Sequence, residues 1–222
     1  RPPRSTLFPY TTLFRSHQNE HGSHLDETAS TSAVSYERRQ FYVSDRGGRR
    51  PEAQDVTARS SATTVVTAAG TGATATGTLS IVDLETMTER QLAVGLAPAG
   101  LAITPDDRMV AVANAHSDSV TFVDLESLRR DEVTIPAYPQ GSFGATPSAI
   151  AFSPDGQTAY VTCGGINAIS VLRRTAGNRW ELKGALPSAW YPTAIATDRN
   201  GDLRVVNVKG VGNTKNDRGT HN

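Results

Sequence analysis

Between Thr146 and Leu172 apolar and polar positions alternate in three short runs, Ser148–Phe152, Thr158–Thr162 and Ala168–Leu172. None sustains the 3.6-residue period of a helix, and small and β-branched residues dominate, so each run predicts a strand. The first two are joined by Ser153-Pro154-Asp155-Gly156. There Pro presets φ and Gly accepts the positive φ that a tight reversal requires, so the pair reads as a hairpin and the whole stretch as part of an antiparallel sheet.

The same pattern recurs. Shifted back by 49 residues it falls on Ala97–Val123, with Pro98 under Pro147, Pro105 under Pro154 and Asp118 under Asn167. Shifted forward by 45 it falls on Pro192–Val208, with Asn200-Gly201 in the place of Asp155-Gly156. Upstream, Gln40–Ser44 fits the second strand and Gly77–Leu84 the third. Periods in the forties with about four strands per unit mean a propeller or a similar array. The expectation is an all-β, partial (open) β-propeller of about four four-stranded blades, the first and last incomplete, with the first strand of each blade nearest the axis. Ile150, Phe152, Tyr160, Val161, Ile169 and Val171, with Leu101, Ile103, Val110, Val112, Val120 and Phe122, supply the predicted core between blades, because alternate residues of a strand share a face and both faces are covered.

These repeats resemble the YVTN-type β-propeller repeat of YncE-like proteins. Tyr160-Val161-Thr162-Cys163 stands where that family writes its signature, and Val112-Ala113-Asn114 and Val206-Asn207 are partial copies. VSDRGGRRP at 43–51, YPQGSFGATPSAIAFSPDG at 138–156, and AWYPTAIA with NVKGVGN within 189–213 are similar to one branch, in which the propeller precedes a phosphoesterase domain of the alkaline phosphatase superfamily. The resemblance covers roughly 33–222. It implies a seven-bladed parent, a secreted or periplasmic location, and as partners the missing blades and a C-terminal phosphoesterase domain of the same parent chain.

Outside the repeats, residues 1–16 read as a translated sequencing-library adapter, and they are set aside as an artefact of the DNA. They carry Arg1, Arg4 and Arg15 and no acids, so the formal charge of 0 becomes −3 without them. Nucleic-acid binders show a basic domain or stripe, and none is present. No apolar run approaches the roughly 20 residues that span a bilayer. Cys163 is the single cysteine, which excludes an internal disulfide, and it reads as a small packing residue at a strand end. His17, His21 and His24 have helical metal-site spacing, but nothing around them supports a helix, and 17–32 reads as a disordered linker. The propeller then occupies 33–222, with blades at about 33–94, 97–137, 146–187 and an incomplete 191–222.

Parity assigns the loops to faces. In a four-stranded antiparallel blade the turns after strands one and three share one face, and those after strands two and four share the other. The Ser-Pro-Asp-Gly type of turn marks the plain face. The long segment 45–76, the bulge 138–145, the Ala189-Trp190-Tyr191 corner and the tail from Lys209 gather on the opposite face, where recognition is expected. The candidate binding residues are Arg46, Arg49 and Arg50 as a cationic group, Asn114 and His116 after the second strand of the next blade, Trp190 and Tyr191, and Lys209. Guanidinium and ammonium donors beside Gly-rich backbone suit an anionic ligand. The plainer reading is that they are solvated loop charges and turn formers.

Nucleophile elbow, HExxH, P-loop and paired-Cys patterns are all missing from the sequence. No catalytic residue, metal site or cofactor is therefore assigned to this fragment; the phosphoesterase ligands implied by the resemblance would lie beyond Asn222. The reading is a non-catalytic binding or scaffold module of a phosphoesterase-linked protein. The alternative, a fragment of a seven-bladed propeller lactonase, differs in the acid, His and Arg residues expected around the central channel.

Overall fold

A computed structural model describes residues 29–60, 63–139, 141 and 143–210. It contains sixteen strands in chain order: β1 (Ala29–Ser35), β2 (Gln40–Asp45), β3 (Thr57–Ser60), β4 (Thr63–Val66), β5 (Gly77–Asp83), β6 (Glu89–Val94), β7 (Pro98–Ile103), β8 (Met109–Asn114), β9 (Ser119–Asp124), β10 (Arg130–Thr134), β11 (Pro147–Phe152), β12 (Thr158–Cys163), β13 (Ala168–Arg174), β14 (Trp180–Pro187), β15 (Pro192–Thr197) and β16 (Leu203–Asn207). Two short 3₁₀ turns, Gly164–Ile166 and Ala176–Asn178, are the described helical segments.

Three antiparallel sheets of four strands, β1-β2-β5-β6, β7-β8-β9-β10 and β11-β12-β13-β14, are the first three blades, and β15-β16 opens a fourth. The first strands neighbour one another in series along the inner side of the array. Gly100 records how close they come, since a Cβ there would lie 2.3 Å from the Ser148 carbonyl oxygen. The all-β open propeller is as the sequence predicts. The first blade, however, is a full four-stranded sheet rather than an incomplete one, because β1 begins at Ala29 inside the stretch that reads as a polar linker. Residues 1–28, with the adapter-like segment and the three histidines, lie outside the described residues.

The strand residues alternate between two blade faces, and each gap between blades is filled from both sides. Tyr42, Leu79 and Ile81 meet Leu101, Val110, Val112 and Val123 between blades one and two. Phe122, Ala111 and Val120 meet Ile150, Phe152, Val161 and Leu172 between blades two and three. Ala151 and Ile169 meet Ile195 between blades three and four. Of the predicted core, Leu101, Val110, Val112, Val120, Phe122, Ile150, Phe152, Val161 and Ile169 are buried, and Ile103, Tyr160 and Val171 are half-buried. Burial of one such side chain stabilises by about 2 kcal/mol. Trp180 of β14 adds an aromatic clasp: its ring stacks on Phe122 at 4.4 Å and 4° and tilts against Phe152 at 5.6 Å.

Polar ties fix the blades' angular order. Ser44 Oγ donates to the Ala99 carbonyl at 2.8 Å and Thr197 Oγ1 to the Phe152 carbonyl at 2.6 Å. On the plain face Arg38 Nε donates to the Asp107 carbonyl at 2.7 Å, and Arg174 pairs with Asp106 at 2.9 Å. The turn between strands one and two ends in each blade on a residue of positive φ: Arg39 (51°), Asp107 (57°), Gly156 (67°) and Gly201 (88°). Only two of the four are glycines, so the turn geometry outlasts its most favourable residue.

Candidate functional site

The loops opposite those turns are held together by a recurring brace. The residue entering strand one is Ala97, Thr146 or Tyr191, with φ of 50°, 52° and 58°, and each precedes a proline. A left-handed, non-glycine residue before proline is a conformation with a local cost of about 1–3 kcal/mol, so surrounding contacts must hold it. They do. The Asp118 carboxylate accepts the N–H of Gly144 at 2.6 Å and of Thr146 at 2.8 Å. Asn167 Oδ1, in the equivalent place one blade on, accepts the N–H of Tyr191 at 2.9 Å. In blades two and three the loop after strand two thus fixes the loop after strand four, which feeds the next blade; the Leu96–Ala97 loop is tied instead by Ala115, His116 and Ser117 of blade two.

Trp190, Tyr191 and Lys209 come together at the end of this chain of braces. Trp190 N–H donates to the Gly210 carbonyl at 2.8 Å, Val208 N–H to Tyr191 at 3.0 Å and Lys209 N–H to Trp190 at 3.2 Å. The Tyr191 ring lies against Gly164, where a Cβ would come within 3.2 Å of the ring, and Lys209 Nζ sits 4.8 Å from the ring centroid on a cation–π contact. Trp190 remains 47% exposed. The neighbouring loop reaches the same place: the Gly144 carbonyl oxygen occupies the space a Gly165 Cβ would fill, and Phe143 beside it is 85% exposed. Tyr138 in that loop is exposed too. Neither Phe143 nor Tyr138 was among the sequence candidates. An aromatic set among glycines, as in Gly141-Ser142-Phe143-Gly144, has no neighbour to cover it, and that was the available signal.

The remaining candidates lie apart. Arg46 and Arg50 are exposed at the start of the 46–76 insertion. Arg49 there is engaged in a bidentate pair with Asp55, at 2.7 and 2.8 Å, and also donates to the Arg50 carbonyl at 3.0 Å. The guanidinium hydrogen bonds hold the Asp55 carboxyl below the usual carboxylate range, and Asp55 raises the Arg49 value in return. Asn114 is wholly buried; its amide donates to Ser119 Oγ at 3.0 Å and Thr121 Oγ1 at 2.9 Å, while Oδ1 has no partner. Gly95 packs on it, with a would-be Cβ 2.6 Å from Asn114 Cγ. His116 is exposed, with its N–H on the Leu96 carbonyl at 3.1 Å. Cys163 is buried, and that burial pushes its thiol up to about 11.

Among the described residues this face offers aromatic area, the Lys209 ammonium group and ordered loop backbone. Among the described residues no three His, Cys, Asp or Glu side chains converge as a metal site. A groove of about 410 Å³ lies elsewhere, at the plain-face rim of blades one and two between Asp83, Thr88, Leu125 and Leu128. No helix among the described residues is long and apolar enough to cross a membrane.

A family model described as YNCE-like beta-propeller matches residues 49–194. No curated protein sequence matches the chain. Similar solved structures include a putative 6-phosphogluconolactonase from Bacteroides uniformis (TM-score 0.53, 14% identity, 85% of this chain and 68% of that one). A hydrazine synthase from Kuenenia stuttgartiensis aligns at TM-score 0.52 and 11% identity over 79% of this chain and 57% of that one. The periplasmic gluconolactonase of Pseudomonas aeruginosa aligns at TM-score 0.52 and 16% identity over 81% of this chain and 50% of that one. At such identities the likeness is one of fold. The chain spans between half and about two thirds of the length of these three structures.

Proposed function

The chain belongs to the YNCE-like β-propeller family, and from that premise we propose that it is a non-catalytic binding module whose loop face docks a partner domain. The observation that carries this reading is the convergence of Trp190, Tyr191 and Lys209 on a face braced by Asp118 and Asn167, with Phe143 exposed in the neighbouring loop. Large aromatics with a basic group, held by rigid backbone, are the composition of interface anchors. The lysine, with Arg46 and His116 elsewhere on the face, favours an acidic or anionic counterpart. In this reading the partner is a phosphoesterase domain of the same parent protein, secreted or periplasmic, as the motifs at 43–51, 138–156 and 189–213 suggest.

The test is to read the natural gene beyond Asn222 and, if it encodes such a domain, to titrate that domain against the propeller. Docking should weaken at least tenfold with Trp190→Ala and become less salt-sensitive with Lys209→Gln, while thermal stability changes little, since exposed groups contribute little to folding. A gene that instead encodes only further blades, with gluconolactone hydrolysis by its product, would establish the lactonase reading in its place.

A further inference from the structure

The gaps between blades one and two and between blades two and three carry different side chains at matching positions of their plain-face ends. Ser119 faces Asn114 as Thr78 faces Asp45 and Ala168 faces Cys163, so Phe122 of blade two stands where Ile81 stands in blade one. On the covering blade Arg130 faces Val123 as Leu182 faces Leu172, and the residues two positions before these are Leu128 and Trp180. Between blades two and three the matched pair is therefore Phe122 with Trp180, whose rings stack at 4.4 Å. Between blades one and two it is Ile81 with Leu128, and both rings are missing.

The smaller pair leaves open the groove of about 410 Å³ at this rim, and the blades on either side of it are both four-stranded sheets. Its floor is apolar, since Ile81 and Leu125 belong to the buried core between the blades and Leu128 packs against them. Its rim is acidic: among the described lining residues the carboxylates of Asp83, Glu89 and Glu126 stand against the guanidinium of Arg90. Hydrogen bonds from the N–H groups of Thr86 and Glu85 hold the Asp83 carboxyl below the usual carboxylate range, so it stays charged. Glu126 is exposed, and its side chain makes no hydrogen bond or ion pair among the described residues.

We infer that this groove is a binding site for a small aromatic amine, a single ring system carrying an ammonium group. The ring takes the kind of space that Trp180 fills one gap further on, against Ile81, Leu125 and Leu128. The ammonium group meets the carboxylates of the rim, Glu126 above all, because Asp83 and Glu89 already accept hydrogen bonds from the fold. Ligand sites run from about 300 to 1,000 Å³, apolar with a few placed polar groups, and this groove has that size and make-up. Aromatic area supplies the attraction, and the excess of carboxylates selects a cation over an anion of the same shape. The site lies at the plain face, away from the loop face, and does not depend on the docking role proposed for it.

Tryptamine is the probe, with indole-3-propionate as the same ring bearing a carboxylate and butylamine as the ammonium group without a ring. Titration of the chain with tryptamine, followed by methyl NMR, should give saturable shifts at Ile81, Leu125 and Leu128. Either comparison compound should bind about fivefold more weakly. Glu126→Gln should weaken tryptamine binding about threefold, the worth of one exposed ion pair, with the thermal midpoint unchanged. Leu128→Trp should close the groove as Trp180 closes its own, and abolish the shifts at Ile81 and Leu125. If that variant fails to fold, the Glu126 variant and the three compounds still decide. Absence of saturable shifts, equal affinity for tryptamine and indole-3-propionate, unchanged affinity of the Glu126 variant, or binding retained by a folded Leu128→Trp chain overturns the assignment. So do shifts that spread to residues 1–28, because the groove's occupant would then be the chain's own leading segment.

Discussion

Gly100, Trp180 and Cys163 carry separable parts of the interblade contact. The Gly100 position meets backbone atoms of Ser148 and Ala149 rather than a movable side chain. Gly100→Ala should therefore lower stability by about 2 kcal/mol through overpacking, seen as a shift of the urea midpoint; an unchanged midpoint would mean the first strands can separate. Trp180 faces Phe122 and Phe152 at once, and Trp180→Ala should cost about 3–5 kcal/mol. It was not picked out from the sequence, because Arg179, Glu181 and Lys183 alternate with Trp180 and Leu182 and mask the period of two. For Cys163, burial raises the thiol from 9.0 to about 11. The folded state keeps the proton where the unfolded state has lost it, so the contribution is intact below about pH 9 and falls away as pH rises towards 11. Unfolding measured at pH 8 and pH 10.5 should show a loss that Cys163→Ala removes; an identical loss in the variant would assign it to other groups.

Among the elements, the first three strands of the repeats (β7 to β9, β11 to β13, β15 and β16, with β2 and β5 upstream) were readable because their pattern recurs, whereas β1, β3, β4 and the charged outer strands β6, β10 and β14 were not. The β1 sequence ASTSAVS is small and hydroxyl-rich, and a strand on the inner side of the array is held by main-chain pairing with β2 more than by apolar side chains. The insertion at 46–76 reads as unpatterned Gly, Ala, Thr and Arg, yet β3 and β4 pair within it and Val65 and Val66 are buried. Its entry is clamped by Arg49 on Asp55, a contact that depends on a chain reversal no local period announces. Of the candidate site, Trp190, Tyr191 and Lys209 were legible through loop parity, whereas the burial of Asn114 depends on Gly95 from the preceding interblade loop. Asp55→Ala should speed amide exchange within residues 49–76 while leaving the propeller's thermal midpoint in place; if the midpoint falls with it, the insertion is part of the blade's folding unit.

For the whole molecule the two ends differ. Tyr42, Leu79 and Ile81 of blade one face blade two, and their neighbours Val43 and Val82, which point the other way, are buried as well. Blade four leaves Ala194, Ala196 and Val206 exposed on its far side. An array open at that end should self-associate, so its thermal transition should depend on protein concentration, and Val206→Glu should reduce that dependence. A sharp, reversible, concentration-independent transition of a monomer would contradict it.

The docking role of the loop face is tested most directly by amide exchange of this chain compared with the product of its natural gene. Slower exchange in residues 135–139, 188–191 and 208–210 of the longer protein, with the plain-face turns 36–39, 104–107 and 153–156 unchanged, is the predicted result. Protection of those turns, with the loops around Trp190 exchanging as fast as in the chain alone, would contradict it.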